Sequence, residues 1–216
     1  MKLSKTQILR YLGVRGDADA RLLSLIAQLT DELLGCAAPK SVYGIWDCRV
    51  ASPYFEISGL SVLSYSLTLR LAGCEQAALM AATLGVGVDT LIRMYSVRDI
   101  EKAAIAEAIC AAMIEAYCDE LEAELREGEE AKELCFTARF SPGYGDFDLA
   151  HQKTILDMLQ CGKCIGLTLT DGYMLAPSKS VTAIIGLTKE KTPPGDHPPS
   201  KCSRCDENDC VFKETL

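Results

Sequence analysis

The sequence is poor in histidine and in aromatic residues. Its 216 residues include two histidines and one tryptophan, and aromatic residues make up 6%. Neither His151 nor His197 has an obvious nucleophile partner. The chain also lacks the GxSxG, P-loop and HExxH motifs, and it has no GxGxxG after a predicted strand. No familiar catalytic or nucleotide-binding motif therefore indicates its chemistry.

Positive charge and long apolar runs are scarce as well. Lys and Arg total 22 against 30 Asp and Glu, a net charge of −8. This balance argues against nucleic acid as a partner, because phosphate binding requires a basic face. The N-terminus has no apolar segment typical of a signal peptide, and no run approaches the length of a membrane span. We therefore expect a cytoplasmic protein that binds neither nucleic acid nor membrane.

Cysteine, in contrast, is abundant, with eleven residues. Without a secretion signal we expect thiols, and most sit singly among apolar residues, as small buried side chains do. Two groups differ: Cys161-Gly-Lys-Cys164, and a tail with Cys202, Cys205 and Cys210. CxxC spacing suits a metal or a dithiol, and Cys161 or Cys164 would complete a four-ligand site with the tail. Alternatively, Cys164 opens an apolar strand and belongs to the core.

The order of helix-type and strand-type patterns is irregular and shows no βαβ rhythm. It predicts an α+β fold with a largely antiparallel sheet. Residues 1–190 form the predicted domain, and residues 191–216 form a proline-rich linker and cysteine-bearing tail. Helices are predicted over residues 4–11, 17–34, 61–71, 88–95, 99–126 and 149–159. Strands are predicted over residues 42–48, 54–57, 75–84, 136–140, 164–169 and 181–187. The strand over residues 75–84 is expected to be buried, although its alanines would equally suit a helix.

The stretch RFSPGYGDFD, residues 139–148, combines a strong cation with a turn-forming segment. The guanidinium of Arg139 can bind a carboxylate through two parallel hydrogen bonds. Gly143 lets the backbone approach a ligand closely, and Tyr144 adds a flat apolar face with a polar tip. These residues, with Ser141, would hold an amino-acid-like ligand that carries an aromatic ring. A surface turn with a structural arginine is the alternative.

Glu115 is a second candidate, on the helix predicted over residues 99–126. Its helical neighbours include Ala111, Ala112 and Cys118, so its carboxylate lies beside small residues that let another group come near. It would pair with an ammonium or sulfonium cation. The alternative is a boundary glutamate that extends into water.

Two longer segments resemble the activation domain of vitamin B12-dependent methionine synthase. They are RFSPGYGDFDLAHQKTILDML and IGLTLTDGYMLAPSKSVTAIIGL. That family carries an R-x-x-P-G-Y motif, a helix with an internal lysine, and two strands. The matching residues are Arg139, Pro142, Gly143, Tyr144, Lys153, Gly166, Leu169, Thr170, Met174, Pro177, Ser180 and Val181. Upstream, GCEQAALMAATLGVGVDTLIR and MIEAYCDEL are also similar, so the resemblance covers most of residues 1–190.

The resemblance implies a C-shaped α+β domain, with a twisted antiparallel sheet and flanking helices, that binds S-adenosylmethionine. Such a domain docks onto the cobalamin-bearing part of the synthase and supports reductive methylation of cob(II)alamin to methylcobalamin. The implied ligand contacts are Glu115, Arg139, Ser141, Gly143 and Tyr144. The domain would contribute positioning, because the reactive metal belongs to the partner. Whether the chain is itself an enzyme stays open; if it is, it acts as the methyltransferase component.

Differences from the full-length enzymes imply a free-standing version that acts on a separate synthase chain. Folate, homocysteine and cobalamin domains are not present in the sequence. Gly145 stands where the family often has proline. The strand after Val181 leads into KEKTPPGDHPP instead of a hairpin with a further pocket tyrosine. The implied partners are a cobalamin-binding synthase and an electron donor such as a flavodoxin or ferredoxin.

Two other hypotheses stay open. One is a thiol or metal redox protein that holds zinc or an iron–sulfur cluster at Cys202, Cys205 and Cys210, with Cys161 or Cys164 assisting. This chemistry could coexist with reactivation by passing the electron that cob(II)alamin needs. The other is a corrinoid-binding scaffold without methyl transfer.

Overall fold

The computed structural model describes residues 3–14, 16–128 and 134–189. In these ranges the helices are α1 (Lys5–Tyr11), α2 (Ala20–Cys36), α3 (Tyr65–Arg70), α4 (Val86–Arg98), α5 (Ile100–Glu127), α6 (His151–Met158) and α7 (Cys161–Cys164). The strands are β1 (Lys40–Ala51), β2 (Tyr54–Ile57), β3 (Leu60–Leu63), β4 (Gln76–Thr83), β5 (Cys135–Phe136), β6 (Thr168–Leu169), β7 (Leu175–Ala176) and β8 (Ser180–Thr188).

Six of these strands form one sheet in the order β3-β2-β1-β4-β8-β5, and every neighbouring pair is antiparallel. β6 and β7 pair separately as a short antiparallel ribbon. The predicted α+β class with an antiparallel sheet is therefore confirmed.

β4 lies in the middle of the sheet and is buried on both faces. Ala78 and Met80 belong to a core cluster with α1, α2, α4 and α5. Ala77 and Leu79 belong to a second cluster, on the opposite face, with α3, α6 and α7. Since successive strand side chains point to opposite faces, a continuous apolar run such as QAALMAAT is what a doubly covered strand requires. The buried strand predicted over residues 75–84 is confirmed.

The long helix α5 spans the first of these faces. It begins after Asp99, whose carboxylate accepts a hydrogen bond from the Lys102 backbone N–H at 3.1 Å. Ala103, Ala106, Ala108 and Ala112 are buried in the first core cluster, and the 28 residues of the helix reach about 42 Å. The helix predicted over residues 99–126 is confirmed, and its later turns reach the edge of the sheet near β5 and β8.

The helix predicted over residues 61–71 is wrong in its first part. Residues 60–63 form β3, in which Leu60 and Val62 are buried and pair against β2. The helix begins only at Tyr65, where the Ser64 hydroxyl accepts a hydrogen bond from the Leu67 backbone N–H at 3.0 Å. The period-two burial in β3 was too short to stand out beside the helical spacing that follows it.

The strand predicted over residues 164–169 is also wrong at its start. Cys161–Cys164 form the single-turn helix α7, and the chain then passes through Gly166, at φ +70°, before the two-residue strand β6. Cys164 is exposed, so its assignment to a core strand is wrong. Ile165 and Leu167 supply the buried contacts in this segment instead.

The proline-rich linker and the cysteine-bearing tail predicted over residues 191–216 lie outside the described residues. No helix among the described residues is long and apolar enough to span a bilayer.

Candidate functional site

The segment before the RFSPGYGDFD turn runs beside β8 and carries Arg139 to the sheet edge. In β5, Phe136 pairs with Leu187 of β8. Phe140 exchanges both backbone hydrogen bonds with Ile184, at 2.9 and 2.8 Å. The predicted strand over residues 136–140 is thus a two-residue strand and a separate bridge. Arg139 lies just before that bridge, so its backbone is held at the edge of the sheet, beside β8.

The turn after Phe140 depends on two glycines with positive φ. Gly143 has φ +92°, and its N–H donates to the Phe147 carbonyl oxygen at 2.7 Å. Gly145 has φ +57°, and a Cβ there would lie 2.5 Å from Ser66 Oγ. Proline has φ near −65° and cannot take this conformation. The backbone conformation at Gly145 is therefore one that a proline at this position could not adopt.

Asp146 fastens this turn to the start of α3. Its carboxylate accepts hydrogen bonds from the Ser64 hydroxyl and from the backbone N–H groups of Tyr65 and Ser66, the last two at 2.8 and 3.0 Å. These hydrogen bonds, that of Ser64 foremost, hold the pKa of Asp146 well below its usual range. Sequence reasoning did not single out Asp146, because the N-terminus it caps lies about 80 residues upstream.

Arg139 is the centre of a charge cluster with one face of α5. Its guanidinium contacts Glu115 Oε2 at 3.0 Å, Asp119 Oδ1 at 2.9 Å and Glu122 Oε1. Positions 115, 119 and 122 recur at helical spacing, so the three carboxylates lie along one stripe of α5. Glu122 also accepts a hydrogen bond from Arg126 at 3.3 Å.

Burial and charge oppose each other at Arg139. Burial by itself would lower the pKa of the guanidinium, but Glu122 and Asp119 raise it well above its ordinary value. The same surroundings also change the pKa of Cys118, a buried residue of α5. There, burial raises the pKa of the thiol to about 12, although Arg139 opposes this. Cys118 is therefore a neutral core thiol, as the sequence indicated.

These charges line an open cavity of about 810 Å³. This volume is within the range of small-molecule sites, and its wall mixes charged groups with aromatic rings. The lining residues are Arg70, Glu115, Asp119, Glu122, Arg126, Phe136, Ala138, Arg139, Phe140, Ser141, Pro142, Tyr144, Gln152, Leu175, Ser180, Val181 and Thr182.

Four of the five predicted ligand-binding residues line this one cavity: Glu115, Arg139, Ser141 and Tyr144. The fifth, Gly143, does not line it but shapes the turn that presents Tyr144. Tyr144 is about half exposed, and its ring lies 6.3 Å from that of Phe140. The structure therefore brings the predicted residues together, while their ligand contacts stay a prediction.

Other cavity residues went unnoticed in the sequence. Asp119 and Glu122 were hidden within a stretch of ordinary helix charges, although their spacing from Glu115 was readable. Arg70, whose guanidinium stacks over the Phe140 ring at 5.3 Å, comes from α3 and has no local signal. At the end of α1, burial raises the pKa of Tyr11, and the charge of Glu115 adds to this effect.

The structure separates the environments of the two thiols in the Cys161–Cys164 pair. Cys161 is fully buried in the second core cluster, where burial raises its pKa to about 12, and Cys164 is exposed. Among the described residues, no group of three or more His, Cys, Asp or Glu side chains is arranged to hold a metal. Cys202, Cys205 and Cys210 lie outside those residues, so metal binding by the tail stays a prediction.

Comparison with known protein families shows to which family the chain belongs. The model of the vitamin B12-dependent methionine synthase activation domain matches residues 70–192, more than half of the 216 residues. The chain belongs to this family. The matched range contains α5, the Arg139 turn and β8, and so most of the cavity wall. No curated protein matches the chain significantly.

A solved structure agrees with the fold. The chain resembles the MetH reactivation domain bound to AdoHcy, with a TM-score of 0.66 and 15% sequence identity. The alignment covers 88% of this chain and 75% of that one. The similarity thus extends well upstream of the range that the family model matches, and it supports the predicted architecture.

Proposed function

We propose that the chain binds S-adenosylmethionine in the Arg139 cavity and serves the reductive reactivation of a cobalamin-dependent methionine synthase. The observation that carries this proposal is the convergence of Arg139, Glu115, Ser141 and Tyr144 on one cavity in a chain of the activation-domain family. The AdoHcy bound by the MetH reactivation domain adds support, since AdoHcy is S-adenosylmethionine without its transferable methyl group.

The cavity has the chemistry that this ligand requires. Arg139 offers a guanidinium to the ligand carboxylate, and the carboxylates on α5 offer partners for its cationic centres. The ring of Tyr144, about half exposed, offers a face for the adenine. A volume of about 810 Å³ is ample for one such molecule.

The protein needs no side-chain nucleophile for this role. Cobalamin held by the partner chain would supply the nucleophile once a donor such as a flavodoxin or ferredoxin has reduced it. The residues of this chain bind the amino-acid and adenosyl parts of the ligand and so hold the methyl-bearing sulfur in one orientation. The turn's fastening to α3 through Asp146 and to β8 through Phe140 keeps that geometry rigid.

Two measurements test the proposal. Isothermal titration of the full chain with S-adenosylmethionine is expected to show one site. A methionine synthase from which the activation domain has been removed is expected to regain methylcobalamin when this chain, S-adenosylmethionine and a reductant are added. Absence of binding, both with and without the cobalamin-loaded partner, contradicts the proposal. Binding without methylation would instead favour the corrinoid-binding scaffold.

A further inference from the structure

The three carboxylates around Arg139 are not equivalent. Glu122 is 16% exposed and shared between Arg139 and Arg126, so its charge is neutralised within the protein. Asp119 is 70% exposed on the cavity wall, 2.9 Å from the Arg139 guanidinium. Asp119 is more exposed than Glu115, at 38%, and Glu122, at 16%, so it is the carboxylate that a ligand displaces at the least cost.

The Arg139–Asp119 pair is complementary to the head of an α-amino acid. Such a head carries a carboxylate and an ammonium group on the same carbon atom. If its carboxylate takes the place of Asp119 beside Arg139, the released Asp119 carboxylate is left close to the ammonium group. One ion pair then becomes two, and no charge in the cavity is left without a partner.

We infer that Asp119 binds the α-ammonium group of the ligand, while Arg139 binds its carboxylate. This inference rests on the proposed function, because it concerns the same cavity and an amino-acid-bearing ligand. Glu122 then acts as a positioning residue that fixes the Arg139 guanidinium, since it remains paired on the buried side. Glu115, which contacts the other terminal nitrogen of Arg139, is left for the second cationic centre, the sulfonium.

The experiment compares two ligands and two variants. The ligands are S-adenosylmethionine and its deaminated analogue, in which a keto group replaces the α-amino group. The test variant is Asp119→Asn, and the matched control is Glu124→Gln, an exposed carboxylate on the same helix that does not line the cavity. Affinities are measured by isothermal titration, with competition against S-adenosylmethionine for a weakly bound analogue.

The expected result differs between the two ligands. Asp119→Asn weakens the binding of S-adenosylmethionine by about tenfold, because the hydrogen bond to the ammonium group loses its charged acceptor. The affinity for the deaminated analogue is unchanged or higher, because asparagine competes less than aspartate for the Arg139 guanidinium. Glu124→Gln changes neither affinity.

Three outcomes overturn the inference. One is an equal loss for both ligands, which would mark Asp119 as purely structural. Another is an unchanged affinity for S-adenosylmethionine in Asp119→Asn, and a third is wild-type protein that binds the analogue as tightly as S-adenosylmethionine. If wild-type protein binds neither ligand, the proposed function itself falls and this inference with it. The wild-type titration therefore separates the two failures.

Discussion

The sequence indicated candidate chemistry in residues 139–148 and in the Cys161–Cys164 pair, which lies within residues 160–170, and the fold treats these two segments differently. The first is tied to three other elements: to α5 through Arg139, to α3 through Asp146 and to β8 through Phe140. The second forms α7, in which Cys161 is buried and Cys164 is exposed, and then β6.

This difference shows what makes a group of side chains a site. In residues 139–148 the polar groups meet partners from distant parts of the chain, which fixes them at the wall of a cavity. In residues 160–170 the CxxC spacing places two thiols on one helical turn but leaves them in different environments. Spacing in sequence is therefore a weaker guide than convergence from several elements.

The largest expected effect is on ligand binding, from Arg139→Ala. We expect at least about a hundredfold weaker S-adenosylmethionine binding, because the ligand carboxylate loses its charged partner. The variant also leaves the carboxylates of α5 with less compensation, so its melting temperature should be measured beside the titration. Arg139→Lys, which keeps the charge but not the planar fork, should bind with intermediate affinity.

Lys163→Ala, in the second segment, is the control and should bind like the wild type. Normal binding by Arg139→Ala would show that residues 139–148 are only a surface turn.

The next effect is on stability and compares one glycine from each segment. Gly145 and Gly166 both have positive φ, but a Cβ at Gly145 would meet Ser66 at 2.5 Å, whereas nothing lies within 4 Å of one at Gly166. Gly166→Ala should cost about 1 kcal/mol, the ordinary penalty for a left-handed residue. Gly145→Ala should cost about 2–3 kcal/mol because the crowding adds to it. Urea unfolding measures both, and equal losses would contradict the tight packing of the first turn.

A smaller, pH-dependent effect is expected at Asp146. Because its folded pKa lies below the unfolded value of about 3.9, the carboxylate stabilises the fold above that pH. The contribution is lost as the pH falls through the folded pKa. Asp146→Asn should therefore cost about 1 kcal/mol at pH 7, a modest figure because the site is open to solvent screening.

The difference between the Asp146→Asn variant and the wild type should shrink as the pH falls below about 4. Chemical denaturation across this range is the measurement. A difference that stays constant with pH would indicate that the carboxylate charge is not involved.

The smallest effect concerns the two thiols of the second segment. Iodoacetamide should modify Cys164 in the native protein, whereas Cys161 should react only after unfolding, since it is buried and its pKa is raised to about 12. Peptide mapping by mass spectrometry distinguishes the two. Equal reactivity of the two thiols in the native protein would mean that Cys161 is accessible. Cys161 would then again be a candidate ligand for the proposed metal site of the tail cysteines.

Much of the fold could be predicted from local patterns. The apolar run of β4 predicted a buried strand and the periodicity of α5 predicted a long helix, because buried positions carry apolar side chains. The alanines of β4 would have suited a helix equally well, and the pairing with β1 and β8 decided for a strand. Predictions failed where elements are only a few residues long. β3 and α7 are shorter than the window over which a period can be distinguished.

For the candidate site, the sequence by itself determined which residue types were present and which short turn would carry them. Arg139 and Tyr144 were singled out because they flank a Pro-Gly turn, and Glu115 because it lies beside small residues on its helix. The family resemblance then assigned all three to a ligand. Only the tertiary structure decided that Arg139 meets Glu115, Asp119 and Glu122, and that Asp146 caps a helix that begins about 80 residues earlier. The physical reason is that the polarity pattern of a segment reflects its own burial. Ion pairs and helix caps, in contrast, form between residues that are far apart in sequence and meet only in the folded chain.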